Sequence, residues 1–179
     1  MAEGARPLIS AADLASRVAE LGTQIASDFR GRSPVLVGVL AGALPFLADL
    51  CRLIDEPIEI DFLSLSRFGE GGRVRIAMDT EINLSERNVI LVEDIVDTGL
   101  TLMVVRRLIL ARGPESIATA TLLDKFSRRL VTVPVEYRGF EVGEEYLVGY
   151  GLDLAGKYRN LRDIWAVADR RGESFAPPW

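Results

Sequence analysis

Two short runs constrain the fold more than anything else in the chain: Val35-Leu36-Val37-Gly38-Val39-Leu40 and Asn88-Val89-Ile90-Leu91-Val92. Both are rich in β-branched residues and lack the polar alternation of a half-exposed strand, so each must be covered on both faces. Each is soon followed by a run of helical character, over residues 44–53 and 100–111. Pro45 stands near the first turn of the earlier run, and Gly113-Pro114 ends the later one. Strand, turn and helix in repetition predict an α/β fold: a central, mostly parallel sheet flanked by helices.

The remaining segments fit that plan. Ser10 and Asp13 form a capping signal ahead of Leu14, Val18, Leu21 and Ile25, which recur at helical spacing, so the first element is an amphipathic helix. Residues 58–65 and 74–78 read as strands around a loop at 66–72 that is rich in glycine and charge, a hairpin-like excursion. Shorter strands are expected at 117–123, 131–138, 146–150 and 164–167. The polar stretch 170–179, which ends Pro177-Pro178-Trp179, reads as a loosely ordered tail. With 179 residues, 49% of them apolar and 26% charged, residues 1–179 read as one domain with a packed core.

Charge and composition exclude several function classes. The net charge of −5 is spread along the chain and no basic stripe is visible, so nucleic acid is not an expected partner. The pairs Arg106-Arg107, Arg128-Arg129 and Arg170-Arg171 read as solvated surface pairs. Residues 1–6 contain no apolar leader core and no run nears the ~20 apolar residues of a membrane span, so no membrane is expected and the cytoplasm is the expected compartment. Cys51 is the single cysteine, in an apolar helical run, and reads as a buried structural thiol. The chain has no histidine, which removes Ser-His and Cys-His nucleophilic pairs and the commonest zinc ligand. Proton transfer must use a carboxylate, lysine or tyrosine.

The segment that carries chemistry follows strand 88–92: Glu93-Asp94-Ile95-Val96-Asp97-Thr98-Gly99-Leu100-Thr101, running into the helix. A turn at the carboxyl end of a central strand is where open α/β sheets bind ligands. Gly99 permits a tight turn, and the free N–H groups of the helix start, with the Thr98 and Thr101 hydroxyls, suit a phosphate monoester. Glu93 and Asp94 would repel a bare phosphate, but a ribose accompanied by Mg²⁺ offers hydroxyls and a divalent cation to both. Helix capping by Asp97 or Thr98 is the simpler account of a lone Asp-Thr-Gly. The ordered run of strand, acidic pair, Asp-Thr-Gly-x-Thr and helix is more specific.

Residues 92–101 resemble the phosphoribosyl-pyrophosphate motif of type I phosphoribosyltransferases, in the form typical of the hypoxanthine-guanine branch, and the resemblance extends over about residues 13–168. It implies a parallel sheet with flanking helices and a small hood over the base. The phosphoribosyl group of phosphoribosyl pyrophosphate would pass to a 6-oxopurine (hypoxanthine and/or guanine), giving the nucleotide and pyrophosphate in purine salvage. The resemblance implies binding of phosphoribosyl pyrophosphate by Glu93, Asp94, Asp97, Thr98, Gly99, Leu100 and Thr101. Ala41 and Gly42 belong to Leu40-Ala41-Gly42-Ala43, which is similar to the family's pyrophosphate loop, often built around a non-proline cis peptide. Arg159 would reach the pyrophosphate as well.

For the base, Leu122-Leu123-Asp124-Lys125 resembles the recognition strand, and Lys125 would donate to the exocyclic oxygen. An oxygen at position 6 accepts whereas an amino group there donates, so this lysine selects against adenine. Tyr146 would stack on the purine and Leu147 would present main-chain groups to its edge. Asp153 would flank the pocket and hold a second Mg²⁺, with Glu93 and Asp94 forming the other metal environment. Asp97 is the expected catalytic group, handling the proton at purine N7. The resemblance also implies a homo-oligomer, dimer or tetramer, although the residues themselves set no number of copies.

Two departures from the pattern stand out. Ala41 replaces a lysine that many members carry, and Arg67-Phe68 stands where most have Ser-Tyr, so the lid lacks a tyrosine hydroxyl. Three other readings stay open: a transferase for another base such as xanthine, a phosphoribosyl-pyrophosphate-binding regulatory protein, and a nucleotide-binding α/β domain of unrelated chemistry.

Overall fold

A computed structural model of the chain describes residues 7–68 and 73–167. Its elements are α1 (Ala11–Asp28), β1 (Val35–Leu40), α2 (Leu44–Cys51), β2 (Glu59–Phe68), β3 (Arg73–Met78), β4 (Asn88–Val96), α3 (Leu100–Leu110), β5 (Ser116–Asp124), a single 3-10 turn (Phe126–Arg128), β6 (Tyr137–Glu141), β7 (Tyr146–Val148) and β8 (Trp165–Val167). Six strands form one sheet in the order β3-β2-β1-β4-β5-β6, parallel throughout except for β3, which runs antiparallel to β2. β7 and β8 form a separate antiparallel pair, the small hood.

The apolar strands pack both faces of the sheet, because side chains alternate along a strand. Leu36, Ile90 and Val92 face the cluster that holds Leu14, Val18, Leu21 and Ile25 of α1 and Phe46, Leu47 and Leu50 of α2. Val35, Val37, Val89 and Leu91 face the opposite cluster, which contains Leu102, Val105 and Ile109 of α3. Ser10 caps α1 by accepting a hydrogen bond from the Asp13 N–H, as the sequence signal predicts. The hood has its own apolar cluster of Val148, Leu154, Leu161, Trp165 and Val167.

Several expectations need correction. Residues 93–96 continue β4, paired with β5 up to Val96 against Asp124, so the acidic pair lies in the strand and the turn starts at Asp97. Residues 131–136 form no strand, and β6 begins at Tyr137. Val133 and Val135 do alternate and do pack on the α3-side core, but Pro134 lacks the N–H that a ladder needs. Of the basic pairs, Arg106 is buried and bound to Thr119 and Glu136, and Arg129 is bound to the fully buried Asp124. Cys51 is partly rather than fully buried. Residues 66–68, expected in the loop, are instead the end of β2 and pair with β3; the side chains of Arg67 and Phe68, residues 69–72, Arg170-Arg171 and the tail 170–179 lie outside what is described. No helix among the described residues is long and apolar enough to cross a membrane.

The strand order reverses direction between β1 and β4. From β1 the chain crosses by α2 to β2 on one side, and from β4 it crosses by α3 to β5 on the other. The loops leaving the carboxyl ends of β1 and β4 therefore diverge and open a crevice, the place where such sheets bind ligands.

Candidate active site

Gly99 adopts φ +83° and caps α3 with no side-chain hydrogen bond, so it satisfies none of the first-turn N–H groups of the helix with a side chain. Thr98 Oγ1 accepts only a long contact of 3.4 Å from Leu100 N–H. These residues line a cavity of about 510 Å³ whose walls are the segment from Glu93 to Leu102 together with Arg128. The side chain of Leu100 is exposed, and its N–H opens the first turn of α3 beside Thr98. Thr98, Gly99 and Thr101, named from sequence as phosphate-binding, thus share one cavity.

Glu93 is 6% exposed and Asp94 is partly exposed beside it. Burial pushes the Glu93 carboxyl well above its ordinary range, and the charge of Asp94 pushes it further. Burial also raises Asp94, to about 6, against the opposing pull of its own local N–H contacts and of Arg159; Asp153 adds to the rise. Two oxygen-donor side chains held against their ionised forms suit a hydroxyl-bearing or cationic ligand.

The loop after β1 closes on the same carboxylate. A methyl group at Gly42 would lie 1.5 Å from Asp94 Oδ2, so a side chain there would have to displace the Asp94 carboxylate. The Leu40-Ala41 peptide bond is cis, and Ala41 is exposed. Gly151, on the far side, packs against the Gly42 carbonyl, which brings the C-terminal loops to this edge.

A continuous set of contacts joins the remaining predicted residues. Lys125, 5% exposed and not a solvated strand-end lysine, donates from its N–H to Val96 O at 2.9 Å and from Nζ to Glu145 O at 2.5 Å. The next residue, Tyr146, donates its hydroxyl to Asp153 O at 2.9 Å. Asp153 Oδ1 pairs with Arg159 at 2.7 Å, and its Oδ2 accepts from Gly156 N–H. Arg159 also donates to Gly151 O at 2.6 Å. Leu147 is buried in β7, opposite Ala166. The chain of contacts returns to Asp94, whose ionisation both Asp153 and Arg159 influence. Glu93, Asp94 and Asp153 do not form a three-carboxylate metal cluster among the described residues.

Arg128 is the residue that reading the sequence missed. Its Nε lies 2.8 Å from Asp97 Oδ1, outside hydrogen-bond angles, so the contact is an ion pair inside the cavity. The available signal was its position three residues after Lys125.

A family model described as a phosphoribosyl transferase domain matches residues 10–154. The chain belongs to the phosphoribosyl transferase family. It is 45% identical over 166 residues to a hypoxanthine phosphoribosyltransferase of Salmonella typhimurium, covering 89% of this chain and 93% of that one. It is 43% identical over 158 residues to a hypoxanthine-guanine phosphoribosyltransferase of Streptococcus thermophilus, covering 86% and 88%. Among solved structures, a hypoxanthine-guanine phosphoribosyltransferase from Bacillus anthracis, with a HEPES molecule in its active site, superposes with a TM-score of 0.87 at 43% identity, covering 90% of this chain and 98% of that one. The mostly parallel sheet with flanking helices and a small hood is thus the family's fold.

Proposed function

We propose that this family member transfers the 5-phosphoribosyl group from phosphoribosyl pyrophosphate to a 6-oxopurine, hypoxanthine and/or guanine, and releases pyrophosphate. The observation that carries this reading is the buried Lys125, a donor held between the end of β4 and the Tyr146 strand, as an exocyclic purine oxygen requires. The names of the relatives, 43–45% identical over most of the chain, agree with it.

In this reading the N–H groups at the start of α3 and the Thr98 and Thr101 hydroxyls take the 5′-phosphate. Glu93 and Asp94 accept from the ribose hydroxyls. The backbone at Ala41 and Gly42, with Arg159, faces the pyrophosphate, so Arg159 supplies side-chain charge that Ala41 cannot. Tyr146 stacks on the purine, Leu147 offers main-chain groups to its edge and Lys125 donates to its oxygen. The bond from the anomeric carbon to the pyrophosphate oxygen breaks as the bond to a purine nitrogen forms. Asp97 handles the proton at N7, and its carboxylate offsets positive charge growing on base and ribose.

The residues fit Mg²⁺. Glu93 is buried in β4 with its carboxyl held against ionisation beside Asp94, and Mg²⁺ needs only one or two carboxylates when substrate phosphates complete its shell. Glu93 and Asp94 would hold it, with Asp153 near a second ion once released from Arg159. When bound, the metal supplies neutralisation of the leaving pyrophosphate. A homo-oligomer, dimer or tetramer, and a cytoplasmic site of action belong to the same proposal, and sedimentation of the purified chain tests the first.

A coupled assay of purine-dependent pyrophosphate release is the test. Release is expected with hypoxanthine or guanine, none with adenine, and none in excess chelator. Silence with all 6-oxopurines would sink the function, and full turnover in chelator would sink the metal.

A further inference from the structure

We infer that Arg128 is a positioning residue for Asp97: it seals one carboxylate oxygen and leaves the other as a single acceptor aimed into the cavity. The inference rests on the phosphoribosyl-transfer reading above, in which Asp97 meets the base.

The geometry of the carboxylate is the first support. The Asp97 side chain is 42% exposed, yet its Oδ1 is sealed from solvent, so the exposure falls on Oδ2 and the methylene. What covers Oδ1 is Arg128, with Nε at 2.8 Å. A carboxylate free to rotate offers two equivalent acceptors over a range of directions. One pinned by a guanidinium offers one acceptor in one direction, as a single N–H on a purine ring requires.

The second support is how firmly Arg128 is itself held. The segment that carries it is bonded to the Asp97 segment on both sides of Asp97: Lys125 N–H donates to Val96 O at 2.9 Å and Leu130 N–H to Thr98 O at 2.9 Å. Between these two tethers the 3-10 turn projects Arg128 toward the carboxylate. The next residue, Arg129, is locked to the fully buried Asp124 at 2.7 Å, and Arg138 Nε sits 2.6 Å from the other Asp124 oxygen. Asp124 also directly precedes Lys125, so one buried carboxylate anchors the strand end bearing the base-reading lysine and the turn bearing Arg128. A flexible surface arginine would spend rotamer entropy to hold such a pair, whereas here the backbone has already been fixed.

Arg128 therefore acts through Asp97, and a double-mutant cycle separates this from a general structural effect. Single-turnover rates are measured with saturating phosphoribosyl pyrophosphate and hypoxanthine for the wild type, Arg128→Gln, Asp97→Asn and the double variant. Arg128→Gln is expected to slow the chemical step by about 10-fold or more, and to slow the Asp97→Asn enzyme by less than about threefold, within the range of coupling between contacting residues. The KM for phosphoribosyl pyrophosphate is expected to stay within about twofold, since the 5′-phosphate is assigned to the N–H and hydroxyl groups at the start of α3 and the pyrophosphate to Ala41, Gly42 and Arg159, not to Arg128. Arg128→Lys, which keeps the charge without the fork, is expected to restore part of the rate, and it carries the same cycle if the glutamine variant does not fold. A loss that is absent in the wild-type background, or undiminished in the Asp97→Asn background, overturns the inference. A wild-type enzyme with no purine-dependent release would instead overturn the functional reading, so the two failures are distinct.

Discussion

The amino halves of β1 and β4 and their carboxyl ends belong to the same sheet, paired with each other only as far as Gly38 and Val92, yet they obey opposite rules. Val35, Leu36, Val37, Val89, Ile90 and Leu91 are fully buried, apolar and in register, Leu36 opposite Ile90. A few residues on, the strands end in a buried glutamate held against ionisation, a neighbouring aspartate raised to about 6, a glycine where a side chain would displace that carboxylate and an arginine-pinned aspartate. The amino half supplies burial, at roughly 25 cal/mol per Å² of apolar surface. The carboxyl end accepts desolvated charge that a merely stable protein would exclude. One end therefore governs whether the chain folds, and the other what it does once folded.

The largest expected effect tests that division at the carboxyl end. Asp97→Asn should slow the chemical step by about 10²–10⁴-fold, the usual range for a positioned acid–base group, with little change in phosphoribosyl pyrophosphate binding. Gly99, not Asp97, caps α3, so the melting temperature should hardly move. Near-wild-type single-turnover rates with a normal melt would leave Asp97 without the proton role. The matching change in the amino half is Ile90→Ala, which should destabilise by about 2–5 kcal/mol through lost burial and a residual cavity. Per folded molecule its turnover should match wild type. A large loss of kcat without a drop in denaturation midpoint would break the comparison.

The same division decides what was legible in the sequence. Covered strands and amphipathic helices are local patterns, so β1, α1 and α3 could be read directly. The acidic pair looked like loop because isolated carboxylates avoid strands, and nothing local announces that β5 continues alongside it to Asp124. Residues 131–136 have the alternation of a strand without its ladder, since packing on the core imposes the same period. The candidate site was assigned through a resemblance, residue by residue, from Ala41 to Arg159, and what the fold adds is which of those residues share a cavity or a contact. Arg106, Arg128 and Arg129 were misread as solvated because their partners, Glu136, Asp97 and Asp124, are brought to them by the fold rather than by helical spacing.

Lys125→Ala sharpens the comparison within the carboxyl end. A charged donor lost from a hydrogen bond costs about 1.5–3 kcal/mol, so affinity for the 6-oxopurine should fall roughly 10- to 100-fold. Phosphoribosyl pyrophosphate binding should stay within about threefold, because its proposed donors, on the β4–α3 turn, at Ala41 and Gly42 and at Arg159, do not include Lys125. Calorimetric titration of each ligand separates the two, and equal losses for both would contradict the assignment of Lys125 to the base.

The smallest effect is the most diagnostic, because its sign reverses between stability and activity. Glu93 is buried, and both burial and Asp94 raise its affinity for protons in the folded chain above that of the unfolded chain. Where the folded state binds more protons, stability falls as pH rises, and this begins above the ordinary glutamate range. Glutamine imitates the protonated acid at every pH. Glu93→Gln should therefore melt higher than wild type near pH 7.5, by a few degrees for a gain on the order of 1 kcal/mol, and the two should converge as pH falls toward 4. The variant should at the same time lose activity, since an amide is a poorer acceptor for ribose hydroxyls and a weak ligand for Mg²⁺. Thermal melts at both pH values, run beside the pyrophosphate-release assay, decide it. A variant less stable than wild type at pH 7.5 would mean that the Glu93 carboxylate is a structural support, and the contrast between the two ends of β4 would have to be redrawn one residue further along the strand.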